Sequence, residues 1–170
     1  MHKMENTKEI KFSEELIKQF NEFVSRYPEG RKRSAVLSIM TLAQKEYGYL
    51  SVPLMDKIAE FLDLEPIAVY EIATFYTMYE LKPVGKYNLQ FCQTESCCLR
   101  GAEDLIDYTL DKLGIEIGET TDDGLFTVKA VECLGACGYA PMMLVGEEYK
   151  ENLTKESIDE FIDSCRKLEE

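Results

Sequence analysis

Six cysteines carry the most distinctive chemistry in this 170-residue sequence, and all lie in its second half: Cys92, Cys97, Cys98, Cys133, Cys137 and Cys165. Four of them form two spaced pairs. Cys92 and Cys97 enclose four residues, Cys133 and Cys137 enclose three, and 35 residues separate the pairs. Each pair follows a run that reads as a strand, residues 87–91 and 126–131. Two thiolate-bearing loops at one edge of a sheet can enclose a tetrahedral metal or a binuclear iron cluster. In a cytosolic chain, which is kept reduced, such spacing points to metal or redox chemistry before structural disulfides.

Spacing alone leaves three chemistries open. Structural zinc sites tend to use tight C-x2-C knuckles, and both loops here are longer. A [2Fe–2S] cluster suits the spacing better, with each pair holding one iron and backbone N–H groups reaching cluster sulfurs. Leu134, Gly135, Ala136 and Gly138 suit that role, because small residues let the backbone approach closely. The C-x4-C spacing is shared with plant-type ferredoxins, although the C-x2-C that follows there is missing. Thiol–disulfide exchange is third, and the chain has no C-x-x-C pair. Cys98 and Cys165 read as small buried hydrophobes.

The elements that must position these loops are legible from periodicity. Ser13 is a plausible N-cap, and Leu16, Phe20, Phe23, Val24 and Tyr27 share one helical face, stopped at Pro28 to Gly30. Val36, Met40, Ala43 and Tyr47 mark a second helix ending at Gly48. Ser51 and Pro53 start a third, with Met55, Ile58, Ala59 and Leu62 inward. Pro66 starts a fourth, with Val69, Ile72 and Ala73. Short helices with short connections predict a small antiparallel bundle over residues 1–82. The aromatic run Phe75, Tyr76, Tyr79 at its end is either bundle core or a surface for a partner.

Residues 83–170 alternate instead. Strands are predicted at 87–91, 126–131 and 142–145, a helix at 102–113 stopped by Gly114, a turn at 146–148, and a last helix capped by Thr154. That order predicts an α/β domain with helices packed on a sheet, so the whole chain reads as α+β.

Composition removes several functions. The chain is 45% hydrophobic, which is enough for a packed core and argues against disorder. Its net charge of −13 argues against nucleic acid as a partner. Residues 86–170 hold 19 acidic and 8 basic side chains, so the acidity is concentrated where the cysteines lie. No stretch approaches the roughly 20 apolar residues of a membrane helix, so no direct membrane insertion is expected. The polar residues 1–10 lack the apolar core of a signal peptide. These features predict a cytoplasmic protein, peripheral to something larger. His2 is the single histidine and lies in the terminal tail, so no Ser/His/Asp set forms and no catalytic residue is expected. Without G-x-G-x-x-G, the chain is not expected to bind NADH itself.

Residues 91–102 (FCQTESCCLRGA) and 132–142 (ECLGACGYAPM) resemble the thioredoxin-like [2Fe–2S] ferredoxins. A well-known branch is the small iron–sulfur subunit beside the flavin subunit of respiratory NADH:quinone oxidoreductase (complex I). Residues 42–44, 47–51, 69–70, 73–79 and 81–85 resemble that branch too. The resemblance covers about residues 15–165. It implies a helical N-terminal bundle, a thioredoxin-like α/β domain, and one [2Fe–2S] cluster on Cys92, Cys97, Cys133 and Cys137. It further implies an electron-transfer subunit of an NADH dehydrogenase, with no complete active site on this chain. FMN and NAD would sit on the partner, the flavin- and NADH-binding subunit. The alternative context is a soluble NAD(P)-linked hydrogenase or formate dehydrogenase. A thiol oxidoreductase and a zinc-stapled binding module are remoter. The chain departs from the family where a Pro commonly precedes the second cysteine: it has Ser96, whose hydroxyl could bond near a sulfur. Negative charge on Glu95, Glu132 and the acidic domain disfavours adding an electron, which predicts a low reduction potential.

Overall fold

Ser13 opens the first helix of the computed structural model, which describes residues 10–169. Its Oγ accepts from the Leu16 N–H at 3.1 Å, satisfying one of the donors that a helix start leaves free. Helix α1 runs Glu14–Ser25 and buries Leu16 and Phe20. A 3-10 turn at Lys32–Ala35 leads into α2, Val36–Tyr47, which ends on Gly48 at φ 83°. There glycine is needed because a side chain is strained at positive φ. Ser51 caps α3 (Val52–Leu62), with Pro53 in its first turn, and Pro66 opens α4 (Pro66–Phe75). Each helix packs on the next, α1 on α2, α2 on α3 and α3 on α4.

The chain divides into two compact units after Pro83. The first has its own core, centred on Phe20, Ile39, Met40, Leu54, Ile58 and Leu62. Burial contributes roughly 1.5–3 kcal/mol for each such side chain. The aromatic run beyond α4 separates into two environments. Tyr79 belongs to this core, and its hydroxyl donates to the Leu37 carbonyl at 2.9 Å. Phe75 and Tyr76 are 77% and 39% exposed.

The second unit holds a four-stranded sheet in the order β2-β1-β3-β4. These strands are β1 (Tyr87–Cys92), β2 (Phe126–Val131), β3 (Met143–Val145) and β4 (Glu148–Lys150). β1 is parallel to β2 and antiparallel to β3, and β3 is antiparallel to β4. Parallel neighbours need a crossover, and helix α6 (Ala102–Leu113) supplies it. Leu89, Phe91, Phe126, Val128 and Met143 pack with Ile106 of α6 and with Ile158 and Ile162 of α7 (Lys155–Lys167). Cys165 lies in this core, 2% exposed, as the apolar face of α7 predicted. Gly85 fits where it does because a Cβ there would lie 2.8 Å from the Phe126 backbone.

Several elements differ from the periodicity reading. Glu148 belongs to strand β4 rather than to the turn, a four-residue helix, α5 (Glu95–Cys98), carries the second cysteine of the first pair, and a 3-10 turn spans Cys137–Tyr139. A three-residue edge strand of sequence EYK has no buried alternation to reveal it. Among the described residues, no helix is long and apolar enough to cross a membrane.

Candidate metal centre

Parallel pairing of β1 and β2 decides where the two cysteine loops lie. Cys92, the last residue of β1, is in register with Val131, the last of β2. The chain therefore leaves both strands at the same sheet edge, and Cys133 lies two residues beyond that register. The Gln93 N–H donates to the Val131 carbonyl at 2.9 Å, extending the ladder past Cys92.

The two loops close on each other. Cys92, Cys97, Ala102, Ala140 and Met142 form a small buried cluster, with Leu134 and Ala136 packed against it. Cys92 and Cys97 are buried, whereas Cys133 and Cys137 are exposed. Cys133 Sγ and Cys137 Sγ lie 3.9 Å apart. Two thiolates on one tetrahedral metal with bonds of about 2.3 Å are separated by about 3.8 Å, so this pair is already at a coordination edge. Among the described residues, no group of three or more His, Cys, Asp or Glu is gathered tightly enough to hold one metal ion. The thiols stand as one buried pair and one exposed pair.

Electrostatics tie the pairs together. Burial alone pushes the Cys92 thiol up, but hydrogen bonds outweigh it and hold Cys92 below the usual thiol value. Those bonds come from the Thr94 hydroxyl, the Thr94 and Leu134 N–H groups and the Cys97 thiol. Leu134 belongs to the other loop, and its side chain packs against the buried cluster that holds Cys92. Cys97 is pushed up to about 11, first by burial and then by its contact with Cys92 and the negative charge there. The Met142 N–H opposes this by donating to the Cys97 sulfur. Backbone donors aimed at sulfurs are what a thiolate-held metal group requires.

Local geometry explains the loop residues. Gly135 has φ 83°, so the turn between Cys133 and Cys137 needs glycine. Gly138 has neither a positive φ nor a neighbour that a Cβ would meet. The Tyr149 hydroxyl, from β4, donates to the Leu134 carbonyl at 2.7 Å and holds the loop to the sheet. No sequence signal pointed to Tyr149. Cys98, predicted to be buried, is only half-buried; its thiol donates to the Gln93 carbonyl at 3.0 Å. Ser96 is exposed, and among the described residues its hydroxyl makes no hydrogen bond. The hydroxyl near a sulfur belongs to Thr94, whose Oγ1 lies 3.2 Å from Cys92 Sγ. His2 lies outside the described residues.

This asymmetry gives a chemical test. In metal-free, reduced protein, alkylation is expected at Cys133 and Cys137 first. Cys97 and Cys165 should react last, because both are buried and burial raises both thiols. Mass spectrometry of timed iodoacetamide labelling reads the order, and early labelling of Cys97 would contradict the burial described.

A mixed four-stranded sheet with helices packed on it, and four thiols on the two loops that leave its parallel strands, is the architecture of a thioredoxin-like ferredoxin. The pattern of the thioredoxin-like [2Fe-2S] ferredoxins matches residues 20–166. The chain belongs to that family. It is 45% identical over 145 residues to the E 2 subunit of the NADH-quinone oxidoreductase of Rhizobium meliloti (strain 1021), covering 85% of each chain. It is 41% identical over 164 residues to the E subunit of the NADH-quinone oxidoreductase of Rickettsia bellii (strain RML369-C), covering 95% of this chain and 98% of that one. A solved NAD+-reducing [NiFe]-hydrogenase, in its air-oxidised state, shares the fold with a TM-score of 0.67 at 19% identity. That likeness covers 76% of this chain and 23% of the hydrogenase chain.

Proposed function

We propose that this chain is the electron-transferring E subunit of an NADH-quinone oxidoreductase, holding one [2Fe–2S] cluster on Cys92, Cys97, Cys133 and Cys137. The observation that carries the reading is the parallel register of Cys92 with Val131, with Leu134 and Ala136 of the second cysteine loop packed against the buried Cys92 and Cys97 of the first. The names of the relatives supply the context. The donor set fits the group: four thiols in two pairs, small side chains between them, and the Thr94 hydroxyl at the Cys92 sulfur. Bound there, the cluster supplies one-electron oxidation and reduction.

The chain's own residues do the rest. Cys92 and Cys97 hold the buried side, and Cys133 and Cys137 hold the side open to solvent. The Thr94 hydroxyl lies beside the Cys92 sulfur. In this reading the nucleotide and FMN sit on the partner, the flavin-bearing subunit, which converts hydride transfer into single electrons. The chain then sits on the cytoplasmic side of a membrane-bound complex, held by its partners.

The test is anaerobic purification, followed by metal and sulfide analysis and a visible spectrum. About two irons and two sulfides per chain are expected. A redox titration should place the potential below the Rieske range, nearer the roughly −400 mV of plant-type ferredoxins. A colourless chain with one zinc would replace this reading with a zinc-stapled module, and a colourless, metal-free chain would leave thiol chemistry.

A further inference from the structure

Thr94 stands at the N-cap of α5, the position where a hydroxyl ordinarily accepts from the first turn. Ser13, Ser51 and Thr154 all do so in their helices. The Thr94 side chain makes no such bond. Its carbonyl is occupied, accepting the Cys97 and Cys98 N–H groups at 2.8 and 3.0 Å. Its hydroxyl is turned to Cys92 Sγ, 3.2 Å away. Cys92 is itself buried at 2% exposure, so little water competes for that sulfur.

A metal-bound cysteine sulfur carries no proton. Of the two atoms, the hydroxyl alone can then donate, and the bond acquires a direction. Reduction adds one negative charge to the four-cysteine site. A donor on a ligand sulfur stabilises the more negative state more, and the stabilisation is larger where water is excluded. Hydrogen bonds to sulfur are among the terms that set such potentials.

We propose that Thr94 is a positioning residue whose hydroxyl donates to the Cys92 sulfur and raises the reduction potential of the site above what its acidic surroundings would set. The inference rests on the four-cysteine reading given under Proposed function. It assigns to Thr94 the sulfur-directed hydroxyl that the sequence suggested for Ser96.

Three variants of the full chain, Thr94→Val, Thr94→Ala and Thr94→Ser, test this against wild type. Each is assayed for iron and sulfide content and then titrated anaerobically, following the reduced form by EPR. Thr94→Val and Thr94→Ala are expected to keep iron and to be reduced roughly tenfold less readily, a fall of about 59 mV for one electron. Thr94→Ser should stay within about threefold of wild type, because it keeps the donor. Should the Val and Ala variants take up no iron while Thr94→Ser does, the requirement again falls on the hydroxyl. Full iron with an unchanged potential in the Val and Ala variants overturns the role of Thr94 and leaves the cluster reading intact. Loss of iron in Thr94→Ser as well overturns it too, since the hydroxyl would then not be what matters. A wild-type chain without iron removes the four-cysteine reading and this inference together.

Discussion

Cys97→Ser is expected to empty the site. Iron per chain should fall by at least the roughly 10–100-fold that even outer-shell substitutions cost metal sites. Three features make this position severe. Cys97 is 1% exposed, so water cannot replace a missing ligand. Its neighbours in the buried cluster are Cys92, itself a proposed ligand, with Ala102, Ala140 and Met142, so that cluster holds no unused thiol. A serine hydroxyl is a harder donor than a thiolate and is poorly matched to an iron–sulfur cluster. Cys98→Ser is the control. Its thiol is committed to the Gln93 carbonyl, and that backbone bond suits a hydroxyl equally well. Iron and sulfide assays with the visible spectrum decide the matter. If Cys98→Ser lost the cluster and Cys97→Ser kept it, the ligand set proposed here would be wrong.

The second large effect falls in the helical unit. Phe20 is fully buried and meets Phe12 and Phe61 edge-on, with ring centroids 5.1 and 5.3 Å away. Phe20→Ala removes the ring from a close-packed site and should cost about 3–5 kcal/mol. For a unit of this size that corresponds to a fall in Tm of some tens of degrees, at roughly 4–8 °C per kcal/mol. The core containing Phe20 shares no residue with the cores of the second unit. The cluster spectrum should therefore persist while near-UV circular dichroism reports loss of the first unit's packing. Simultaneous loss of both signals in a single transition would show that the two cores do not stand independently.

Strong local physics made much of the molecule readable from the chain. Ser13, Ser51 and Thr154 cap helices where sequence placed them, because a short hydroxyl before an amphipathic run meets a local need. Strands β1 and β2 were legible as short runs leading into cysteines, and Gly48 and Gly114 stop helices at positive φ. The cysteine spacing was legible for the same reason: it is a one-dimensional property of two loops.

Contacts across the chain were a different matter. Periodicity could not separate Tyr79, which is core, from Phe75 and Tyr76, which are exposed, because the helical phase ends at Phe75. It could not show that Cys98 reaches a carbonyl, or that Tyr149 reaches across to Leu134. By itself, then, the sequence determined the elements and four candidate sulfurs in two pairs. Only the tertiary structure decided that β1 and β2 lie parallel in a register bringing both loops to one edge. It also decided that the Thr94 hydroxyl meets the Cys92 sulfur and that Leu134 of the other loop packs against it. Local patterns report what a segment buries, whereas the donors around a sulfur come from residues that meet only after the sheet has formed.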